Sequence, residues 1–258
     1  MENQINILHL TDIHISSTEK TEEIRKKWEI LIEQVKSLTQ NVPDLVAVTG
    51  DITAHGEKSE YGIGITYLNW LAEVCHIPTD RFIFCPGNHD ADKTCINSTF
   101  QNYGQFLDDY YEVPLGNSVE KNPSFELQNC KKKVRVWQVN TNQTTSYIFY
   151  DNASIPVKEA DIILQNLVED DYNILLMHHQ PSCIDNQEIL KRVCEKMNLV
   201  LCGHLHPNRP IINVCRKATI VTGIAFTPHL ATLQKGCQIV TCLNENVTVK
   251  PIIINNDL

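Results

Sequence analysis

The sequence predicts an α/β fold in which mixed β-sheets are covered by helices. Two observations carry this prediction. Over the first two thirds of the 258 residues, short apolar runs rich in Val and Ile alternate with stretches of helical period, which is typical of strands joined by helical crossovers. From residue 210 onward, the helical periods give way to short strand patterns separated by turns. We expect one compact domain over residues 1–258, because a chain of this length can bury a large core by itself.

The strand and helix patterns alternate along the first part of the chain. The predicted strands are residues 5–10, 45–48, 82–84, 134–139, 174–177 and 199–202. Between the first two strands, Ile24, Trp28 and Leu31 fall on one face of a helical pattern, while Glu, Lys and Arg fill the opposite face. The predicted helices are residues 24–38, 59–74, 157–168 and 187–197, each returning the chain to the start of a strand.

The remaining segments have a different character. Residues 207–258 are predicted to form C-terminal strands at 211–214, 219–221, 238–243 and 247–254, with a hairpin turn at residues 244–246. Residues 91–130 are the least regular part of the chain, and we expect them to form an insertion or lid near a site.

Composition and charge narrow the class of protein. No apolar run approaches the ~18 residues that a membrane-spanning helix needs. The 22 basic and 31 acidic side chains give a net charge of −9, which provides no general attraction for nucleic acid. The N-terminus lacks the basic and apolar parts of a secretory signal, so a cytoplasmic location is expected. The cysteines form no C-x-x-C pair and are interpreted as reduced core residues.

Residues that bind metals follow directly on the ends of five predicted strands. Ligands of open α/β sheets bind beyond the carboxyl ends of the strands, so we expect these clusters to meet at one edge of the sheet. A single Asp-x-His or His-x-His would be weak evidence, but five clusters together favour a metal site. They are Asp12-Ile13-His14, Gly50-Asp51, Gly87-Asn88-His89-Asp90, His178-His179 and Gly203-His204-Leu205-His206.

The residue types indicate a site for two cations and an anionic substrate. Imidazole nitrogens and carboxylate or amide oxygens suit manganese, iron and zinc alike. The Asp51 carboxylate has two oxygens and a full charge, so it is suited to bridge two ions, while neutral Asn88 and the histidines keep the site positive. Two metals about 3.5–4 Å apart generate hydroxide from a shared water and clamp a phosphoryl group. Glycines 50, 87 and 203 are expected to make the tight turns that bring the ligands inward.

Taken in this order, the clusters resemble the calcineurin-like metallophosphoesterases, whose pattern is D-x-H, G-D, G-N-H-D, H and G-H-x-H. The resemblance spans residues 7–206. It implies a four-layer αββα fold of two stacked mixed β-sheets flanked by α-helices. It also implies one metal held by Asp12, His14 and His206, a second held by Asn88, His178 and His204, and Asp51 between them.

The resemblance also implies the roles of neighbouring residues. His89 would lie beside the phosphate, where it protonates the leaving oxygen or stabilises the transition state. Asp90 is expected to orient the imidazole of His89 and to raise its pKa. His178 matches the family's fourth element because it directly follows a strand, and the alternative ligand at that position is His179.

Within the family, the segment from Thr49 to Thr53 looks like the branch of class III cyclic-nucleotide phosphodiesterases and glycerophosphodiesterases, and residues 178–181 are similar to its H-H-P-P segment. The sequence departs from that branch at Asn140-Thr141-Asn142, where an L-D-S-like segment is usual. The expected substrate is a small phosphodiester or phosphomonoester, with cyclic nucleotides or nucleotide-like diesters favoured.

Three other functions remain open at this point. DNA or RNA nucleases share such a metal site, although the acidic balance disfavours nucleic acid as a partner. A protein phosphatase is a further alternative. A catalytically silent binding scaffold would lack ligands or the G-N-H-D histidine, and all of these are present. The sequence fixes neither the oligomeric state nor whether the chain is a module of a larger protein.

Overall fold

The computed structural model describes most of the chain. The described residues are 4–38, 42–92, 100–113, 122–127, 130–142, 153–228, 230, 232–244 and 246–254. Within them the strands are β1 (Gln4–Leu10), β2 (Leu45–Thr49), β3 (Phe82–Cys85), β4 (Ser124–Phe125), β5 (Val134–Gln138), β6 (Tyr172–Leu176), β7 (Leu199–Cys202), β8 (Ile211–Cys215), β9 (Ala218–Thr222), β10 (Gly236–Leu243) and β11 (Asn246–Ile253). The helices are α1 (Thr21–Lys36), α2 (Lys58–Cys75), α3 (Gln101–Tyr110), α4 (Val157–Asn166) and α5 (Gln187–Cys194).

The strands form two mixed sheets, as the sequence pattern predicts. The first sheet has the order β11-β10-β1-β2-β3, with β1, β2 and β3 parallel and the β10–β11 hairpin antiparallel. The second has the order β4-β5-β6-β7-β9-β8, in which β5, β6, β7 and β9 are parallel and the two edge strands are antiparallel. The carboxyl ends of the parallel strands therefore lie along one edge of each sheet.

Alternating apolar side chains along the strands produce the layers. On β1, Ile5 and Ile7 enter the core between the two sheets, whereas Leu8 and Leu10 face the helices α1, α2 and α3. The second sheet packs its other face against α4 and α5. The α/β prediction and its four layers, helices, sheet, sheet and helices, are confirmed.

Helix α1 shows how the predicted amphipathic pattern is used. Its apolar face buries Trp28 completely, with the indole stacked 5.7 Å from the ring of Tyr67 and 4.9 Å from that of Phe226. These aromatic contacts attach α1 to α2 and to the loop after β9, because a buried aromatic side chain removes a large apolar area from water.

Helix α3 differs from the sequence-based expectation. Residues 91–130 were expected to be irregular, yet α3 occupies ten of them. Tyr103, Phe106 and Tyr110 recur at helical spacing, and the Phe106 ring lies 5.1 Å from the rings of both Tyr61 and Phe84. Tyr103, Phe106 and Tyr110 therefore form the buried face of a helix. The prediction of one domain over residues 1–258 stays a prediction.

Two expectations from composition can also be compared with the described residues. Nine cysteines are described, and all nine are free thiols. No described helix combines the length and the apolar character that crossing a membrane requires.

We expect Phe106→Ala to lower the free energy of unfolding by about 3–5 kcal/mol, because it empties a buried aromatic site. Urea unfolding followed by circular dichroism measures the change. The neighbouring Gln105 is exposed, so Gln105→Ala is the control and should change stability by no more than about 0.5 kcal/mol. Equal losses in the two variants would show that α3 is not anchored through Phe106.

Candidate metal centre

The candidate ligands lie at the carboxyl ends of strands from both sheets. Asp12 and His14 follow β1, Asp51 follows β2 and Asn88 follows β3, all in the first sheet. His178 follows β6, and His204 and His206 follow β7, in the second sheet. The sequence argument expected the edge of one sheet. The structure instead brings together the carboxyl edges of two stacked sheets, so the site lies at their junction.

An unusual backbone conformation aims several of these side chains. Five of the candidate ligands have positive φ angles, between 49° and 74°, and they are Asp12, His14, Asp51, His204 and His206. This left-handed conformation costs non-glycine residues roughly 1–2 kcal/mol each. Loop hydrogen bonds hold it in place, such as those from the amide of Asp12 to the Gly50 oxygen and from the amide of His14 to the Asp51 oxygen. Strain of this kind is typical of functional sites.

Three ligand atoms form the first group. Asp12 Oδ1 lies 3.1 Å from His206 Nε2 and 3.9 Å from His14 Nε2, and the two nitrogens are 3.4 Å apart. All three residues are buried. These are the residues that the family resemblance assigns to one metal.

Three further atoms form the second group. Asn88 Oδ1 lies 3.1 Å from His178 Nε2 and 3.2 Å from His204 Nδ1, and the two nitrogens are 3.3 Å apart. These residues are the ones assigned to the other metal. His178 thus presents Nε2 to the group. The neighbouring His179, whose Nδ1 is 2.8 Å from the hydroxyl of Thr141, also lies close to it, with its ring 4.5 Å from that of His204, and stays the alternative ligand.

Asp51 connects the two groups. Its Oδ2 lies 3.7 Å from Nε2 of His14 in the first group and 3.3 Å from Nε2 of His178 in the second. Its other oxygen, Oδ1, accepts a 2.7 Å hydrogen bond from the amide of His89. One carboxylate oxygen is therefore shared, as bridging of two ions requires.

The donor set fits divalent metal ions on geometric grounds. Ligands bound at about 2.1 Å with tetrahedral or octahedral angles lie roughly 3.0–3.4 Å from one another. Most of the separations within the two groups fall in or near this range. In addition, Asp12 Oδ1 is buried, and its 3.1 Å neighbour is Nε2 of His206, another candidate ligand, so a cation between the two atoms would stabilise the carboxylate.

Surrounding hydrogen bonds fix which atoms face the centre. Nδ1 of His178 donates to the carbonyl oxygen of Thr49 at 2.8 Å, which leaves Nε2 for the metal. Asp12 Oδ2 accepts from the hydroxyl of Thr11 at 2.8 Å and from the amide of His204 at 3.1 Å, which leaves Oδ1. The sequence analysis missed Thr11 and Thr49, because a threonine at a strand end carries no distinctive signal.

Two of the three glycines are required by close packing, not by a tight turn. A side chain on Gly203 would collide with the Thr11 hydroxyl and with Asp12 Oδ2, and one on Gly87 would collide with Asp51. Gly50 does have a positive φ of 87°, as expected for a turn.

The structure corrects the expected pairing of His89 with Asp90. Nδ1 of His89 lies 2.9 Å from the carbonyl oxygen of Ala54, to which it donates. The Asp90 carboxylate accepts from the amides of Thr53 at 3.1 Å and Gly87 at 2.9 Å. Asp90 therefore joins the loops that carry Asp51 and Asn88. The carbonyl oxygen of Ala54, and not Asp90, orients the His89 ring.

Burial and charge set the protonation of the buried groups. Burial raises the pKa of Asp90 to about 7, with a further contribution from the charge of Asp51. Burial lowers the pKa of His14 to about 3. Burial alone would also lower the pKa of His178, but the Asp51 carboxylate outweighs it and raises that pKa to about 9. In the protein without metal, a proton on His178 supplies positive charge beside Asp51.

Comparisons with known proteins agree with this geometry. Residues 5–208 match the family profile Metallophos, described as calcineurin-like phosphoesterase, and this range contains every candidate ligand. No curated protein matches the chain.

Solved structures of low identity share the fold. A putative 5'-nucleotidase from Staphylococcus aureus, in complex with alpha-ketoglutarate, matches with a TM-score of 0.55 and 12% identity over 99% of this chain and 56% of its own. The sulfate thiohydrolase SoxB of Thermus thermophilus, in complex with glycerol, matches with a TM-score of 0.53 and 12% identity, over 98% of this chain and 57% of its own. The purple acid phosphatase PPD1 from yellow lupin (Lupinus luteus) seeds matches with a TM-score of 0.53 and 13% identity, over 98% of this chain and 52% of its own. This chain spans just over half the length of each.

We expect Asp51→Asn to weaken the binding of both metal ions together, because the bridging oxygen loses its charge. Metal content per chain after dialysis against manganese, measured by inductively coupled plasma mass spectrometry, tests this. Asp109→Asn on the exposed face of α3 is the control for removing one negative charge. Full metal content in Asp51→Asn would refute the bridging assignment.

Proposed function

The chain belongs to the calcineurin-like phosphoesterase family, and we propose that it uses two metal ions to hydrolyse a phosphoester of a small, nucleotide-like molecule. A cyclic nucleotide or a similar diester is the favoured substrate. The family implies metal-dependent hydrolysis of phosphate esters, whereas the use of two ions and the substrate are parts of the proposal. The single observation that carries it is the pair of ligand groups that share Asp51 Oδ2.

The arrangement around Asp51 supports occupation by two cations. In neutral His178 the proton lies on Nδ1, where it is donated to Thr49. Nε2 of His178, Oδ1 of Asn88 and Oδ2 of Asp51 then face one another with lone pairs only. Such an arrangement repels itself unless a proton on His178 Nε2 or a metal cation lies between the atoms, and a metal cation at this place would replace that proton. The first group, around Asp12, has the same requirement.

The residues supply charge balance and proton transfer. When bound, two metal ions would provide an acidified water as the nucleophile and would neutralise phosphoryl oxygens. Among the ligands only Asp12 and Asp51 are anionic, so the loaded site is positive and suits a phosphate. The His89 ring lies 4.8 Å from that of His14, at the edge of the first group, and its Nδ1 proton is held by Ala54. The protonated His89 ring then keeps its Nδ1 proton and gives the proton on Nε2 to the leaving oxygen, which leaves a neutral imidazole.

Sequence features support a small substrate. The segments at residues 49–53 and 178–181 resemble the class III cyclic-nucleotide branch. The net charge of −9 offers no general attraction for a nucleic acid. A small phosphate ester is therefore the proposed partner, and a cytoplasmic location is part of the same proposal.

We expect His89→Ala to keep its metal ions and to lose about 10²–10⁴-fold in kcat, because it removes a proton donor but no ligand. Steady-state kinetics together with metal analysis measure both quantities. His76→Asn is the control, since His76 ends α2 with a positive φ that asparagine tolerates. Unchanged kcat with an ester of a poor leaving group would exclude the role of His89.

We expect the manganese-loaded protein to hydrolyse bis(p-nitrophenyl) phosphate or cyclic AMP faster than p-nitrophenyl phosphate or a short single-stranded DNA. Asp51→Asn should lose this activity, which shows that the site itself is responsible. Cleavage of the DNA alone would contradict the proposed substrate and support a nuclease. No turnover with any of manganese, iron or zinc would contradict the enzyme and support a binding scaffold.

A further inference from the structure

A cavity of about 610 Å³ lies beside the loop that carries Asn88. It is bounded by α3 on one side and α4 on the other, and its floor is the end of β5 together with Pro86. The volume falls within the range of small-molecule sites, roughly 300–1,000 Å³. None of the candidate metal ligands lines it, so it is separate from the metal centre.

The walls of the cavity are apolar and partly aromatic. Phe100, Tyr103 and Tyr111 line the α3 side, and Ile162 and Ile163 line the α4 side. Ile162 is exposed although it belongs to this apolar wall. Flat aromatic rings opposite aliphatic side chains suit a planar, uncharged group.

Side-chain amides provide the polar part of the lining. Asn122 Oδ1 accepts a hydrogen bond from the backbone amide of Gln138. Asn140 Oδ1 accepts two, from the backbone amide and from the side-chain Nδ2 of Asn142. Both carbonyl oxygens are thus used within the protein. No hydrogen bond in the described part of the chain uses the NH₂ groups of Asn122 and Asn140 or the side-chain amide of Gln138. These groups can donate to, and in Gln138 also accept from, a ligand.

The charge of the lining selects against phosphate. Among the described residues, its carboxyl side chains are those of Asp108 and Glu159, and no described Lys, Arg or His side chain lines it. A phosphate would be repelled here, in contrast to the metal centre with its two cations. The cavity is therefore suited to the neutral part of a substrate.

Asn142 holds together two of the residues that line the cavity, one of which lies close in sequence to a candidate metal ligand. Its Nδ2 donates to the carbonyl oxygen of Pro86 at 3.3 Å and to Asn140 Oδ1 at 2.7 Å, both on residues that line the cavity. Pro86 precedes the ligand Asn88 by two residues, and two residues span at most about 7 Å. The Cα atoms of Pro86, which lines the cavity, and of the ligand Asn88 are thus no more than about 7 Å apart.

We propose that this cavity is a base-binding subsite, which holds the nucleobase of the substrate while the phosphate lies at the metal centre. The inference rests on the proposed function, because it names the part of the substrate that does not react. Base edges carry the donors and acceptors that free amides pair with, and base faces stack on aromatic rings. The subsite would favour nucleotide esters over esters of simple alcohols.

Gly104 offers a variant that fills the cavity without disturbing the fold. It lines the cavity on α3, and a Cβ built there has no other atom within 4 Å. Leucine is a better helix former than glycine, so Gly104→Leu should fold. Gly62 on α2 has the same open surroundings but does not line the cavity, so Gly62→Leu is the matched control.

The first experiment measures binding of thymidine to chelator-treated protein by isothermal titration calorimetry, with 2-deoxyribose and choline as comparison ligands. We expect thymidine to bind and the other two not to bind. Gly104→Leu should raise the Kd for thymidine about tenfold or more, and Gly62→Leu should leave it within about twofold. Absence of thymidine binding, preference for choline, or equal Kd values in the two leucine variants would overturn the subsite.

The second experiment uses two diesters with the same leaving group, thymidine 5'-(p-nitrophenyl phosphate) and methyl p-nitrophenyl phosphate. Gly104→Leu should raise KM for the thymidine ester about tenfold and leave the methyl ester unchanged. An equal effect on both esters would overturn the subsite. Thymidine binding without hydrolysis of either ester would overturn the proposed hydrolysis instead, because the binding measurement needs neither metal nor turnover.

Discussion

The buried carboxylate of Asp51 is the constraint on which the rest of the centre depends. It is 2% exposed and lies between residues supplied by both sheets, with His14 and the amide of His89 on one side and His178 on the other. A carboxylate removed from water needs hydrogen bonds and positive charge nearby. The amide of His89 donates a hydrogen bond to Oδ1. The other oxygen, Oδ2, needs positive charge nearby: the proton of His178 supplies it when no metal is bound, and metal ions would supply it when the site is loaded. Gly87 lacks a side chain because Asp51 fills that space.

The stacked sheets explain how a strained site persists. Three apolar cores hold the helices and both sheets in place, so the strand ends arrive as rigid supports. The left-handed residues sit just beyond those supports, at Asp12, His14, Asp51, His204 and His206. Each would relax to an ordinary conformation if it were part of a mobile loop. Packing of the strands stabilises the protein enough to offset this strain, which is why the ligands lie at strand ends and not in long loops.

Much of this arrangement could be predicted from the sequence, and the failures have physical causes. The apolar runs and their periods locate most strands. Asp, Asn and His residues that directly follow these strands locate the candidate metal ligands. Whether those strands share one sheet depends on long-range pairing such as that of β1 with β10, which no local pattern encodes. The partner of His89 depends on where the Ala54 carbonyl points, and so the nearest carboxylate in sequence, Asp90, was misleading. Helix α3 was missed although Tyr103, Phe106 and Tyr110 recur at helical spacing, because the helix is short and Gly104, Asp108 and Asp109 have low helix propensity.

The opposite polarities of the two neighbouring sites determine how a substrate can lie. Under the proposed function, a metal-loaded centre attracts a phosphate, whereas the cavity lined by Asp108, Glu159 and side-chain amides repels it. A molecule with a charged phosphate and a neutral planar group therefore has one favourable orientation and one unfavourable one. Asn142 donates hydrogen bonds to Asn140 and Pro86 of the cavity lining, and Pro86 lies two residues before Asn88. Under the proposed function, a ligand that spans both sites gains from each, which favours esters of matching length over longer polymers.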